Sequence, residues 1–313
     1  MSRHIEISVI VPVGNRFDAT GSLVREYLKA LSETGRAFEL VYVLDGKHPD
    51  FGAELIRVAD QDTRLRIIQL AKSFGETTAL SAGIENTSGE IIVTLPAYYQ
   101  IEASEIEKLI AEIDVCDLAI CARWPRAAAS RFEVFRRKAF HWLINSMTGS
   151  SFTDLGCGAR AFKRIVAEEV PIYGDQQQFI PLLASRRGFR VRETQIRQSD
   201  RDKFDGRYGP KIYLRRFLDI FTVFFLVRFT KKPLRFFGMI GSITLLFGVA
   251  FLLYVVVQRL FFGVALADRP ALLLSSLLVV LGLQIFALGL LGELIIFTHA
   301  RELKEYTIDK IVN

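Results

Sequence analysis

The sequence predicts an α/β domain with a mostly parallel sheet, followed by interfacial helices and two C-terminal transmembrane helices. Three observations predict it. Over the first hundred residues, short runs rich in Ile and Val alternate with helix-like segments, an order that builds a parallel sheet covered by helices on both faces. After Pro233, two stretches, Phe236–Val257 and Ala271–Gly292, carry no charge, and each reaches the roughly 20 apolar residues needed to cross a bilayer. Between these parts, residues 212–229 interleave phenylalanines with Arg215, Arg216 and Arg228. That pattern suits a membrane surface, where arginines reach anionic headgroups. The expected division is therefore residues 1–210, 211–232 and 233–313, with spans at about 236–258 and 271–296.

The elements follow in order. "IEISVIVPV" is a short apolar run closed by "GN", as in a strand buried on both faces. A helix-like segment runs from about Ala19 to Thr34. "FELVYVLDG" and "LRIIQLA" read as the second and third strands, "TTALSAGIENTSG" as a helix closed by Gly89, and "EIIVTLP" as the fourth strand. Ligands of such sheets bind beyond the carboxyl ends of the strands. This places Pro12 to Asn15, Asp45 to Lys47, Lys72 to Gly75 and Pro96 to Gln100 along one rim.

Composition narrows the class further. Half of the 313 residues are apolar, more than an ordinary soluble domain carries. The N-terminus runs straight into a strand, so no cleavable signal is expected. "VRFTKKPLR" flanks the first span and "HARELKEYTIDK" follows the second, whereas the connecting loop holds only Arg259, Asp268 and Arg269. Positive charge stays on the cytoplasmic side, so both termini are expected there. Three cysteines, Cys116, Cys121 and Cys157, are odd in number and fit no common zinc spacing, as expected of structural thiols in a reducing compartment. Inside the second span Gln284 and Glu293 are polar, with Glu293 near its cytoplasmic end, and a transporter would want more intramembrane ionisable residues than this.

The segments "VIVPVGN", "YVLDGKHPD", "LAKSFGETTALSAGIENTSGEIIVTLPAYYQ" and "FTDLGCGARAFKR" fall in the order seen in family-2 inverting glycosyltransferases of the GT-A fold. "KKPLRFFG" before the first span and "LGLQIFALGLLGELI" in the second resemble the membrane subgroup that glycosylates polyprenyl phosphates, such as dolichyl-phosphate mannose synthases and bactoprenol glycosyltransferases. The resemblance implies a nucleotide-sugar donor (UDP-linked rather than GDP-linked), a polyprenyl phosphate acceptor and a homo-oligomer, a tetramer in relatives. It implies a bacterial inner-membrane location with the catalytic domain cytoplasmic, and no nucleic-acid partner. By position, Pro12, Val13, Asn15 and Asp45 would cradle the nucleotide, with Lys72, Tyr98 and Gln100 nearby. Asp154 would contact the sugar, and Arg160 and Lys163 would begin a helix that Asp154 could cap. Arg123 and Arg131 would meet donor or acceptor phosphates. Arg126, Asp175, Arg201, Arg207 and Lys211 would line the lipid-phosphate side. The small residues Gly238, Gly241 and Ser242 would permit close packing of spans between subunits.

One departure matters. The family's fourth-strand motif is Asp-x-Asp followed by Gln, and its carboxylates hold Mg²⁺ or Mn²⁺ on the donor diphosphate. Here Pro96 and Tyr98 take those places, with Gln100 kept. Three readings stand at this point. Arginines could neutralise the diphosphate, since the guanidinium fork pairs bidentately with phosphate. A metal could be held weakly by the donor with Asp45 or Glu102. Or catalysis is lost, leaving a lipid-phosphate-binding or scaffolding protein.

Overall fold

In the computed structural model, residues 5–125, 138, 152–170, 177–202, 233–262 and 270–299 are described. Within them the chain forms two compact units, an α/β unit and a helical hairpin.

The α/β unit contains β1 (Ile7–Val13), α1 (Ser22–Glu33), β2 (Phe38–Leu44), α2 (Pro49–Ala59), β3 (Leu65–Gln69), α3 (Glu76–Glu85) and β4 (Ile91–Thr94). It continues with α4 (Ile106–Ala111), β5 (Leu118–Arg123), β6 (Arg160–Lys163), α5 (Arg164–Glu169), α6 (Ile180–Arg186) and β7 (Val191–Ile196). The first four strands and the two helices read from the sequence in this part are all present. The sheet order is β3-β2-β1-β4-β6-β5-β7. Only β6 runs against its neighbours, β4 and β5. Both β1 and β2 are buried at every position, which explains their unbroken apolar runs. The strand order reverses beside β1, so the crevice beyond its carboxyl end is where a ligand is expected.

Residues Arg160–Lys163 form β6, and the helix begins at Arg164. The expectation of a helix starting at Arg160 is corrected here. "RAFK" buries its first three residues between β4 and β5, and that pairing overrides any local helical preference. Asp154 is thus too distant to cap the helix.

Two contacts shape the rim. Helix α1 buries Leu23, Val24, Tyr27, Leu28 and Leu31, one face at helical spacing, and the Tyr27 hydroxyl donates to the Pro96 carbonyl at 2.9 Å. At the end of β2, Gly46 has φ +95°, and a Cβ there would lie 3.1 Å from the Ser73 nitrogen. The turn therefore needs glycine both for its left-handed backbone and for the close approach of the next loop.

The hairpin pairs α7 (Pro233–Phe262) with α8 (Pro270–His299). Each is long and apolar enough to cross a membrane. Their backbones meet at glycines: a Cβ on Gly241 would fall 2.5 Å from the Phe286 nitrogen, and one on Gly282 would fall 2.5 Å from the Leu245 nitrogen. Gly238 also faces α8. Gly238 and Gly241, which the sequence offered for contacts between subunits, are occupied by the chain's own second helix. Glu293 accepts the Leu234 N–H at 3.4 Å, satisfying one free donor at the start of α7. Leu246, Phe247, Phe261 and Leu273 point away from the hairpin, as lipid-facing side chains do. The juxtamembrane segment 211–232 lies outside the described residues.

Candidate functional site

Pro12 of β1, Glu76 and Leu80 of α3, Thr94 to Pro96 at the end of β4, Tyr98, residues 155–158 and Arg160 enclose a cavity of about 270 Å³ at the carboxyl ends of the central strands. Pro12, Tyr98 and Gln100, all expected near the donor, are brought together here: the first two line the cavity, and Gln100 is buried just behind. Val13 is buried at the end of β1, and Asn15 is exposed beyond it.

Asp45 is buried, and its carboxylate is largely committed. It accepts from the Ser73 hydroxyl at 2.8 Å, the Phe74 N–H at 2.7 Å and the Gly75 N–H at 3.0 Å. A carboxylate offers about four lone-pair sites, so three are spent holding the loop that precedes α3. The same loop carries Lys72, exposed on the rim with its ammonium 5.2 Å from the Phe74 ring.

Asp154 and Arg123 are paired with one another. Arg123 donates through Nε at 2.7 Å and Nη2 at 3.0 Å, and its backbone N–H adds a third bond at 3.3 Å. The side chains are only 9% and 4% exposed. Burial alone would lower the guanidinium pKa, but the Asp154 hydrogen bond and charge outweigh it and raise the value. Glu193 orients the Asp154 segment by accepting the backbone N–H groups of Thr153 and Asp154 at 3.0 and 2.9 Å.

The pair belongs to a longer chain of charges. Arg123 Nη1 lies 3.8 Å from Asp202, whose other oxygen meets Arg16 at 2.6 Å. The Arg16 guanidinium stacks 3.8 Å above the Tyr98 ring. Arg201, expected near the lipid phosphate, forks onto Glu26 at 2.8 and 2.6 Å and stacks 3.7 Å above Tyr99. Arg160 donates to the carbonyls of Gln177, Leu155 and Cys157. Desolvation lowers its pKa, yet arginine remains charged. Arg126, Arg131, Asp175, Arg207 and Lys211 lie outside the described residues.

Arg16, Glu76, Asp202 and this use of Arg160 were missed in the sequence. Arg16 follows the "VPVGN" segment directly and Glu76 opens the helix after Gly75, so adjacency to strand ends was the available signal. Asp202 sits in a charged run, "RQSDRDK", which offers no such signal. Glu76 is open to the cavity. Desolvation by the surrounding protein, with a smaller push from the Asp45 charge, raises its pKa, while Gln177 and Arg160 pull the other way.

A divalent ion fits this site poorly. Pro96 and Tyr98 occupy the expected carboxylate positions, and no group of three His, Cys, Asp or Glu side chains among the described residues could hold a metal. The nearby Asp45, Asp154 and Asp202 are each committed to protein donors, which leaves Glu76, among the described residues, as a single carboxyl open to the cavity, fewer ligands than a divalent ion takes. Tyr98 is kept protonated as well, burial pushing its pKa up to about 12. A neutral phenol is a poor ligand for a hard cation, which takes oxygen ligands led by carboxylates.

The crevice at the strand reversal, the acidic residue closing β2 and the Asp154 segment behind β6 define a nucleotide-sugar transferase of the GT-A type. Residues 8–170, just over half of the chain, match the glycosyl transferase family 2 profile, and the chain belongs to that family. It is 30% identical to an undecaprenyl-phosphate 4-deoxy-4-formamido-L-arabinose transferase of Klebsiella pneumoniae, the match covering 98% of this chain and 94% of that one. It is 27% identical to a dodecaprenyl-phosphate galacturonate synthase of Rhizobium johnstonii, over 95% of this chain and 90% of that one. Among solved structures, the glucosyl-3-phosphoglycerate synthase of Mycobacterium tuberculosis bound to Mn²⁺, UDP and phosphoglyceric acid shares the fold, with TM-score 0.53 and 15% identity over 72% of this chain and 78% of that one.

Proposed function

We propose that this chain transfers one sugar from a nucleotide-sugar donor, UDP-linked in the first instance, to a polyprenyl phosphate at the cytoplasmic face of the bacterial inner membrane, without a divalent metal. The observation that carries the reading is colinearity. The similarity to two polyprenyl-phosphate sugar transferases extends through the α/β unit and both apolar helices, so the membrane part and the sugar-transfer part are matched as one arrangement. We assign residues 1–210 to the catalytic domain, 211–232 to juxtamembrane helices and 233–313 to the membrane anchor, with both termini cytoplasmic and the chains assembled as a homo-oligomer.

The chemistry suits the site. A phosphomonoester acceptor has its second pKa near 6 and is mostly dianionic at neutral pH. It needs positioning more than deprotonation by a base. Its oxygen attacks the anomeric carbon as the bond to the β-phosphate oxygen breaks, and the electron pair leaves on the nucleoside diphosphate. Catalysis then rests on fixed donors and cations facing the developing charge. Asp45 builds the donor-side loop, and Arg123 with Asp154 fixes the floor between β5 and β6.

The test is transfer to undecaprenyl phosphate from a panel of UDP- and GDP-sugars in detergent, with and without EDTA. Product from one donor, undiminished by EDTA, is the expected result. No product from any donor while the chain still binds a nucleoside diphosphate would replace the transfer reading with that of a silent lipid-phosphate-binding relative.

A further inference from the structure

The hydrogen bonds around Gln100 fix where the Tyr98 proton can go. The Gly158 backbone N–H and the Cys157 thiol both meet one end of the Gln100 amide, at 2.7 and 3.4 Å. A backbone N–H can only donate, so that end is the carbonyl oxygen, and the other end is the NH₂ group. This NH₂ group lies 2.9 Å from the Tyr98 hydroxyl. An amide NH₂ can only donate as well, so the hydroxyl accepts there, and its single proton must turn elsewhere. Among the described residues none accepts it. Tyr98 lines the same cavity as Pro12, Glu76, Pro96, Gly158 and Arg160, at the place where the second carboxylate of the Asp-x-Asp motif would stand. The Arg16 guanidinium, paired with Asp202, lies over its ring, and Arg160 shares the cavity wall with the Glu76 carboxyl, so the phenol proton is an uncommitted donor facing the cavity.

We propose that the Tyr98 hydroxyl, held by Gln100, donates its hydrogen bond to the donor diphosphate and stabilises it as it departs, in the role a divalent ion would otherwise fill. This rests on the transfer reading for its catalytic part and deepens it. The phenol keeps its proton throughout: the acceptor oxygen forms its bond to the anomeric carbon, the carbon–oxygen bond to the diphosphate breaks, and the hydroxyl strengthens its bond to the oxygen that gains charge. Because the phenol stays neutral well above physiological pH, the donor is present across the whole working range. The ion pairs Arg123–Asp154 and Arg16–Asp202 hold the surrounding cations in place without being consumed.

The test uses Tyr98→Phe and the double variant Pro96→Asp/Tyr98→Asp in the full detergent-solubilised chain. Tyr98→Phe keeps the ring under Arg16 and removes only the donor. Loss of one such donor should lower kcat on the order of 100-fold. The double variant restores two carboxylates, and its transfer should require added Mg²⁺ or Mn²⁺. A second readout is independent of turnover: calorimetric binding of UDP and GDP in EDTA. Wild type should bind one of them without metal, and Tyr98→Phe should bind it about tenfold more weakly, the effect of one hydrogen bond to a charged group. A Tyr98→Phe chain that binds and turns over like wild type overturns the proposal, as does wild-type binding that appears only after Mg²⁺ is added. Metal-free binding that depends on Tyr98, in a chain that transfers no sugar, would sink the transfer reading and leave the role of Tyr98 in diphosphate binding supported.

Discussion

The Arg123–Asp154 pair gives a sharp separation between a structural and a substrate-contacting carboxylate. Asp154→Ala takes the acceptor from the Nε, Nη2 and backbone N–H donors of Arg123, whose side chain is 9% exposed in the intact pair and retains Asp202 3.8 Å from Nη1. Breaking a buried pair from one side costs about 3–5 kcal/mol, because the surviving charge remains buried. For a domain of this size each kcal/mol lowers Tm by roughly 2–4 °C, so the expected drop is about 6–20 °C. Arg123→Ala takes the bidentate donor from the buried carboxylate and should destabilise as well. The double variant Arg123→Met/Asp154→Leu removes both charges and should regain most of the loss, since apolar replacement of a whole buried pair is often neutral. The assay is thermal unfolding of the full chain in detergent, followed by tryptophan fluorescence and completed as a double-mutant cycle. Asp154→Ala unfolding at the wild-type temperature while losing all transfer would refute the reasoning, and would mean that the carboxylate acts on substrate rather than on Arg123.

Two other consequences are measurable. Glu76 has a raised pKa in the folded state, so the folded chain holds a proton that the unfolded chain has already lost, and stability falls as pH rises through and above the ordinary glutamate range. Glu76→Gln should therefore gain in Tm relative to wild type as pH rises above the ordinary glutamate range, and an unchanged difference would show the carboxyl to be unperturbed. In the hairpin, a side chain at Gly282 would meet the Leu245 nitrogen at 2.5 Å. Gly282→Val should destabilise by about 1–3 kcal/mol through overpacking, whereas Leu283→Ala, at a position 59% exposed, should change little. Equal effects of the two would show that the helices do not pack through the glycines.

Elements whose signal is local were legible in the sequence. The buried runs of β1 and β2 announce themselves because a strand covered on both faces has no polar alternation. The spans are legible because a bilayer requires apolar length. The loss of the metal motif was equally plain, since Pro96 and Tyr98 cannot do what carboxylates do. The start of β6 was misread as a helix because "RAFK" is too short for its period to speak, and its strand state comes from pairing with β4 and β5.

The sequence by itself determined the alternating α/β order, the two apolar spans, the rim of strand ends and the absence of a carboxylate pair, because each is written in neighbouring residues. Tertiary structure decided the partnerships. Asp154 is paired with Arg123 31 positions away, Asp202 bridges Arg123 and Arg16, and the Gly158 N–H orients Gln100 and thereby Tyr98. Only the folded chain brings such distant charges together out of water, and there each charge's role depends on the group it meets.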